Sequence, residues 1–152
     1  MAVRAFIEAS FVVHRLSGIY ETDPVEMVSE QKFLNMVAEV RVTNVSPTQM
    51  MARLLRIEYL LGRGGKTQKL PRTVDLDILL FGDVCMQTEF LTLPHPRMHE
   101  RKFILKPLSK IAPDLVHPVL GREIKDLLAD LADPYEVKRW FPNARTVVDA
   151  AS

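Results

Sequence analysis

A single cysteine, Cys85, stands among the 152 residues, which excludes an intramolecular disulfide and points to a reducing compartment. Long apolar runs are also missing. None approaches the roughly 20 residues needed to cross a bilayer, so no membrane partner is expected. Met1-Ala2-Val3-Arg4-Ala5 lacks the extended apolar stretch that opens a secretory signal. Charge of one sign is scarce as well: 20 Lys and Arg against 19 Asp and Glu leave a formal net charge of +1. That balance excludes a general polyanion binder, and no nucleic-acid partner is expected. These absences together describe a soluble, cytoplasmic protein. With 47% hydrophobic residues, the chain is long enough for a substantial core and is expected to form one domain over 1–152.

The stretch Val74-Asp75-Leu76-Asp77-Ile78-Leu79-Leu80-Phe81 has the aliphatic content of a buried strand, closed by a turn at Gly82-Asp83. Such a strand should carry no charge, because an unpaired buried carboxylate costs several kcal/mol. Asp75 and Asp77 are two residues apart, so on a strand they leave the same face about 6.5–7 Å from one another. A wall of carboxylate oxygens either binds hard cations or pairs with basic side chains. Basic residues are concentrated on both sides: Arg63, Lys66, Lys69 and Arg72 before the strand, Arg97, Arg101, Lys102 and Lys106 after it.

The remaining chain is read as support for this strand. Val3 to Ile7 and Phe11 to Tyr20 read as strands, but Glu8-Ala9-Ser10 is a poor hairpin turn and too short for a parallel crossover. Phe33 to Val42 alternates loosely as a strand. Ser46-Pro47-Thr48-Gln49 opens a helix, with Ser as N-cap, Pro at the first helical position and Gln closing a capping box. Met50, Leu54, Ile57 and Leu61 then repeat at helical spacing, and Gly62 is expected to end the helix. Glu58 lies at the flank of that stripe. Arg63 to Pro71 reads as a Gly- and Lys-rich loop. Met98 to Leu105 should give a helical turn or two, Pro107 to Pro118 connection, and Arg122 to Ala132 an amphipathic helix. A last short strand is expected near Trp140 and Phe141.

Two carboxylates on one face suit Mg²⁺, an ion usually held by one or two carboxylates together with phosphate oxygens and water. Arg63 and Arg72 could neutralise a polyphosphate, and His95 and Arg101 are spaced to contact the same anion. The plainer alternatives are an ion pair anchoring the strand for the aspartates, a satisfied turn residue for His95 and a ladder amide for Asn35. Gly64-Gly65-Lys66-Thr67 imitates the end of a phosphate-binding loop. That pattern requires Gly where Leu60 stands, and a strand rather than a helix before it.

Pro71 to Gly82, followed by Leu93-Pro94-His95-Pro96-Arg97-Met98-His99-Glu100-Arg101-Lys102-Phe103, resembles the 6-hydroxymethyl-7,8-dihydropterin pyrophosphokinase family. Tyr20 to Val25, Phe33-Leu34-Asn35, Arg56-Ile57-Glu58 and Gly62-Arg63 match in the expected order, and the resemblance runs from about Val12 to about Leu128. It implies an α+β fold of the ferredoxin-like type, an α-β plait whose mostly antiparallel sheet has helices on one face and the active cleft on the other. It also implies transfer of pyrophosphate from ATP, the co-substrate, to the pterin's hydroxymethyl oxygen, giving AMP in folate biosynthesis. Asp75 and Asp77 would hold two Mg²⁺ ions, and Arg63 and Arg72 would stabilise charge at the β-phosphorus, with Asp77 a candidate base. Glu58, Ile78, Thr92, His95 and Arg101 would attend ATP. Phe33 and Phe103 would stack on the pterin, with Asn35 and backbone groups of Thr22, Pro24 and Val25 reading its amide edge. A monomer is expected, with a homodimer the alternative. The rival functions are a degenerate, non-catalytic ligand-binding module and another Mg²⁺-dependent phosphoryl-transfer enzyme.

The chain departs from the family pattern at two places. The loop from Arg63 to Arg72 has no Trp and is about a residue short. A Gly-Ser-Asn turn and a first helix should follow a first strand, and both are expected to be missing between Ile7 and Phe11.

Overall fold

The structure, a computed structural model, describes residues 2–22, 33–64, 74–134 and 136–141, with backbone alone for Ala2, Val3, Arg63 and Gly64. Pro24, Val25, Lys66, Lys69 and Arg72 lie outside the described residues. In chain order the elements are helix α1 (Ala2–Ser10), strands β1 (Val12–Leu16), β2 (Tyr20–Thr22), β3 (Phe33–Asn35) and β4 (Ala38–Arg41), and helix α2 (Pro47–Gly64). Strands β5 (Met86–Gln87) and β6 (Thr92–Leu93) follow, then a 3₁₀ turn at Met98–Glu100, helices α3 (Lys102–Ile111) and α4 (Ile124–Asp130), and strand β7 (Val137–Arg139). Helices and antiparallel strand pairs place the chain in the α+β class. Its contacts divide it into two compact units. The first comprises Met1–Arg15, Glu39–Met98 and His117–Gly121, the second Leu16–Ala38, His99–Val116 and Arg122–Ser152.

In the first unit, Met50, Leu54 and Ile57 line one face of α2 and are buried with Phe11, Ile78, Leu91 and Leu93. Phe6 and Ile7 of α1 pack against the same cluster. This corrects the expected strand at Val3 to Ile7, and the Phe11 N–H donates to the Ile7 carbonyl at 2.9 Å. Helix α1 is followed directly by β1. The poor hairpin chemistry of Glu8-Ala9-Ser10 has a simple cause: these residues are the last helical turn.

Helix α2 opens as its capping box requires. The Ser46 N–H donates to Gln49 Oε1 at 2.9 Å, and the Gln49 N–H to Ser46 Oγ at 3.1 Å. It does not end at Gly62 as expected, but continues to Gly64. A Cβ at Gly62 would meet nothing within 4 Å, so Gly62→Ala should raise unfolding stability by about 0.5–1 kcal/mol. Urea denaturation checks this. An unchanged or lowered midpoint would place Gly62 outside a regular helix.

In the second unit β2 is central, pairing antiparallel with β3 (Tyr20 opposite Asn35, Thr22 opposite Phe33) and with β7 (Tyr20 opposite Arg139, Thr22 opposite Val137). The Trp140 N–H extends the β2–β7 pairing to the Ile19 carbonyl at 2.8 Å. The Arg139 guanidinium lies over Gly18, where a Cβ would fall 2.0 Å from its Nε, so a larger residue here would displace that side chain. Helix α3 packs on this sheet and on α4, burying Ile104, Leu105 and Leu108 of α3 and Ile124 and Leu127 of α4. Pro107 lies inside α3, not in a connection. It forfeits one backbone bond, but its ring is fully buried. Helix α4 is shorter than the expected 122–132, and two of its first N–H groups are satisfied by carbonyls upstream: Ile124 by Leu115 at 2.9 Å and Lys125 by Pro113 at 3.0 Å. On the surface, a Lys125–Asp114 hydrogen bond of 3.1 Å lowers the pKa of Asp114 and raises that of Lys125.

Candidate functional site

The segment 74–81 carries the first unit's acidic pair. Its side chains alternate as an extended chain should: Asp75 and Asp77 are exposed, whereas Leu76 packs on the core and Ile78 is buried in it. It is not a ladder strand, however, and among the described residues it joins no sheet. Two of its backbone groups are used elsewhere. The Leu76 N–H donates to Glu58 Oε2 on α2, and the Leu79 carbonyl accepts the His95 N–H at 2.9 Å. The apolar anchors thus point the two carboxylates outward from a segment held by a helix on one side and by the loop after β6 on the other. The Gly82-Asp83 turn that ends it follows expectation, with Gly82 at φ 56° and the Val84 N–H closing onto the Phe81 carbonyl at 3.0 Å.

His95 is half-buried, and its Nδ1 accepts the Arg97 N–H at 3.2 Å. That assigns the proton of the neutral ring to Nε2. Thr92 sits half-buried on β6 opposite Gln87. Ile78 is only 9% exposed, so its side chain belongs to the core and only its backbone is open to a ligand. The first unit therefore brings together Glu58, the 75–77 pair, Ile78 and His95 through contacts of backbone and core. The backbone of Arg63 lies in the last turn of α2.

In the second unit, Phe33 and Asn35 occupy β3, which contacts α3. Phe33 is 46% exposed, so part of its ring is open to solvent. The Arg101 guanidinium lies 5.7 Å from the Phe103 ring centroid, a cation–π distance. Arg101 also starts α3, its carbonyl accepting the N–H groups of Ile104 and Leu105 at 3.0 Å each. Thr22 is 7% exposed, and its Oγ1 is buried with no hydrogen-bond partner among the described residues. Such an atom is costly unless something else satisfies it.

The carboxylates suit a hard cation by donor type. Among the described residues no group of three or more His, Cys, Asp or Glu could hold a metal by itself, so a cation here would need oxygens from a ligand or from water. That is the usual coordination of Mg²⁺ beside phosphates. Two features had no usable sequence signal. The Glu58–Leu76 bond joins residues 18 apart. His117, 3% exposed, organises a turn by accepting the Val119 and Leu120 N–H groups at Nδ1.

Residues 1–113 match the family model for 7,8-dihydro-6-hydroxymethylpterin-pyrophosphokinase (HPPK). The 2-amino-4-hydroxy-6-hydroxymethyldihydropteridine pyrophosphokinase of Bacillus subtilis is 46% identical over 103 residues, which are 68% of this chain and 61% of that protein. The Pseudomonas aeruginosa protein of the same name is 40% identical over 129 residues, 85% of this chain and 77% of its own. The folic acid synthesis protein fol1 of Pneumocystis carinii is 39% identical over 130 residues, 86% of this chain but 17% of that protein. The chain thus spans less than two thirds of the Bacillus and Pneumocystis relatives.

Proposed function

The chain belongs to the 7,8-dihydro-6-hydroxymethylpterin-pyrophosphokinase family, and on that premise we propose that it transfers pyrophosphate from ATP to 6-hydroxymethyl-7,8-dihydropterin. The hydroxymethyl oxygen attacks the β-phosphorus, and the bond from that phosphorus to the oxygen bridging it to the α-phosphorus breaks. AMP leaves with that oxygen and its electron pair, and the hydroxyl proton is released. The observation that carries this reading is the outward-facing Asp75–Asp77 pair, pinned by Leu76 and Ile78 in the core and tied through Leu79 to His95.

Asp75 and Asp77 would hold Mg²⁺, two ions on the fullest reading, which when bound would neutralise phosphate charge and align the reacting groups. The chain's own residues do the rest. His95 serves a phosphate oxygen, and the hydroxyl proton passes to the exposed carboxylate of Asp77 or directly to solvent. Arg63 and Arg72 supply positive charge where it develops in the transition state. Glu58, Ile78, Thr92 and Arg101 serve ATP. On the second unit, the exposed Phe33 ring and Phe103 offer stacking faces for a pterin. Asn35 and backbone groups of Thr22, Pro24 and Val25 read its polar edge. The ferredoxin-like plait is supported, within the second unit, by an antiparallel sheet carrying α3.

Titration calorimetry with the pterin, in the presence of Mg²⁺ and a non-hydrolysable ATP analogue, tests the substrate assignment. Saturable pterin binding that strengthens with the nucleotide is expected. Intact nucleotide binding with no pterin binding would instead identify a degenerate module or a different phosphoryl-transfer enzyme.

A further inference from the structure

Glu58 is half-buried on α2, next in sequence to the core residue Ile57, and its Oε2 accepts the Leu76 N–H. That amide belongs to the peptide joining Asp75 to Leu76, so the bond restrains the peptide plane between the two carboxylate-bearing residues. In a β-sheet a ladder would set this plane. Segment 74–81 has no ladder among the described residues, and the Glu58 carboxylate occupies the place of one. A charge-assisted bond of this kind is stronger than a neutral backbone pair.

We propose that Glu58 is a positioning residue: by holding the Leu76 amide through one carboxylate oxygen, it orients Asp75 and Asp77 for a divalent cation. Its oxygen is spent on the backbone, and among the described residues no three-carboxylate cluster forms around it. This inference rests on the functional reading above for what the aspartates bind, but not for the bond itself.

The critical property is the acceptor oxygen, not the negative charge. Glu58→Gln keeps an acceptor of the same length, and Glu58→Ala removes it. Glu58→Leu removes it at similar volume and serves if the Ala variant fails to fold. The first readout is Leu76 amide exchange, followed by NMR in the metal-free protein. It should quicken about tenfold or more in the Ala or Leu variant and stay near the original rate in the Gln variant. The second is Mn²⁺ affinity of the complex with a non-hydrolysable ATP analogue, measured by electron paramagnetic resonance. It should fall about ten- to hundredfold without the acceptor, as when other groups orienting metal ligands are lost, and recover in Glu58→Gln.

Unchanged Leu76 exchange in the Ala or Leu variant overturns the proposal. So does a Glu58→Gln protein as defective in Mn²⁺ binding as the acceptor-free variant, because charge rather than orientation would then be at work. If the unmodified chain forms no AMP in a pterin-dependent way, the functional reading fails on its own. The exchange and Mn²⁺ readouts still decide the role of Glu58.

Discussion

Replacing Asp75 or Asp77 by Ala is expected to lower pterin-dependent AMP formation by at least about a thousandfold. Each carboxylate is exposed on a segment whose neighbours Leu76 and Ile78 do the packing. Neither substitution therefore opens a cavity, and the urea midpoint should move by no more than about 0.5 kcal/mol in unfolding free energy. Phosphoryl-type transfer leaves the protein little covalent work, so loss of an oxygen donor for the cation falls almost wholly on the transition state. Binding of the pterin without metal should survive in both variants. Asp83→Ala, in the exposed turn just after the segment, is the matched control and should keep its activity. Near-normal turnover in either Asp75→Ala or Asp77→Ala would remove the metal assignment, whatever the family.

The largest stability effect is expected in the second unit. Leu105 is 0% exposed on α3, the helix that packs on β2, β3, β7 and α4. Leu105→Ala removes buried methyl groups and leaves a space that the sheet and α4 can close only in part. The cost should be roughly 3 kcal/mol, which for a chain of this length lowers the thermal midpoint by about 10 °C. Leu115→Ala, at 40% exposure, should cost less than about 1 kcal/mol. Calorimetric melting of the two variants checks the contrast. Equal shifts would mean that α3 is not the packing centre of its unit.

Features governed by local chemistry were legible in the sequence. The Ser46–Gln49 box, the Met50–Leu54–Ile57 stripe and the Gly82-Asp83 turn each depend on residues within a few positions of one another. The family motif around Asp75 and His95 was equally plain, because it is long and contiguous. The failures arose where tertiary contacts overrode local preference. Ala2 to Ser10 is too short for its periodicity to declare a helix, and Val3 to Ile7 contains enough aliphatic residues to imitate a strand. Pro107 to Pro118 was expected as connection, but α3 runs on through Pro107 to Ile111, where its burial against the sheet and α4 outweighs one missing backbone bond.

The acidic segment shows both outcomes in one place. Its alternation was correctly read, and so was the shared outward face of Asp75 and Asp77. Its membership of a sheet was not, because the partners of its backbone, Glu58 and His95, come from a helix and a loop distant in sequence. In the sequence Glu58 stands only at the flank of the α2 stripe, and no spacing rule links it to Leu76.

The central claim is the transfer itself, and single-turnover chemistry with ATP labelled at the γ-phosphorus tests it most directly. With Mg²⁺ and 6-hydroxymethyl-7,8-dihydropterin, the label should appear in a pterin diphosphate, with one unlabelled AMP released for each pterin modified. Label released as inorganic phosphate together with ADP, or AMP formed at the same rate without pterin, would contradict the account.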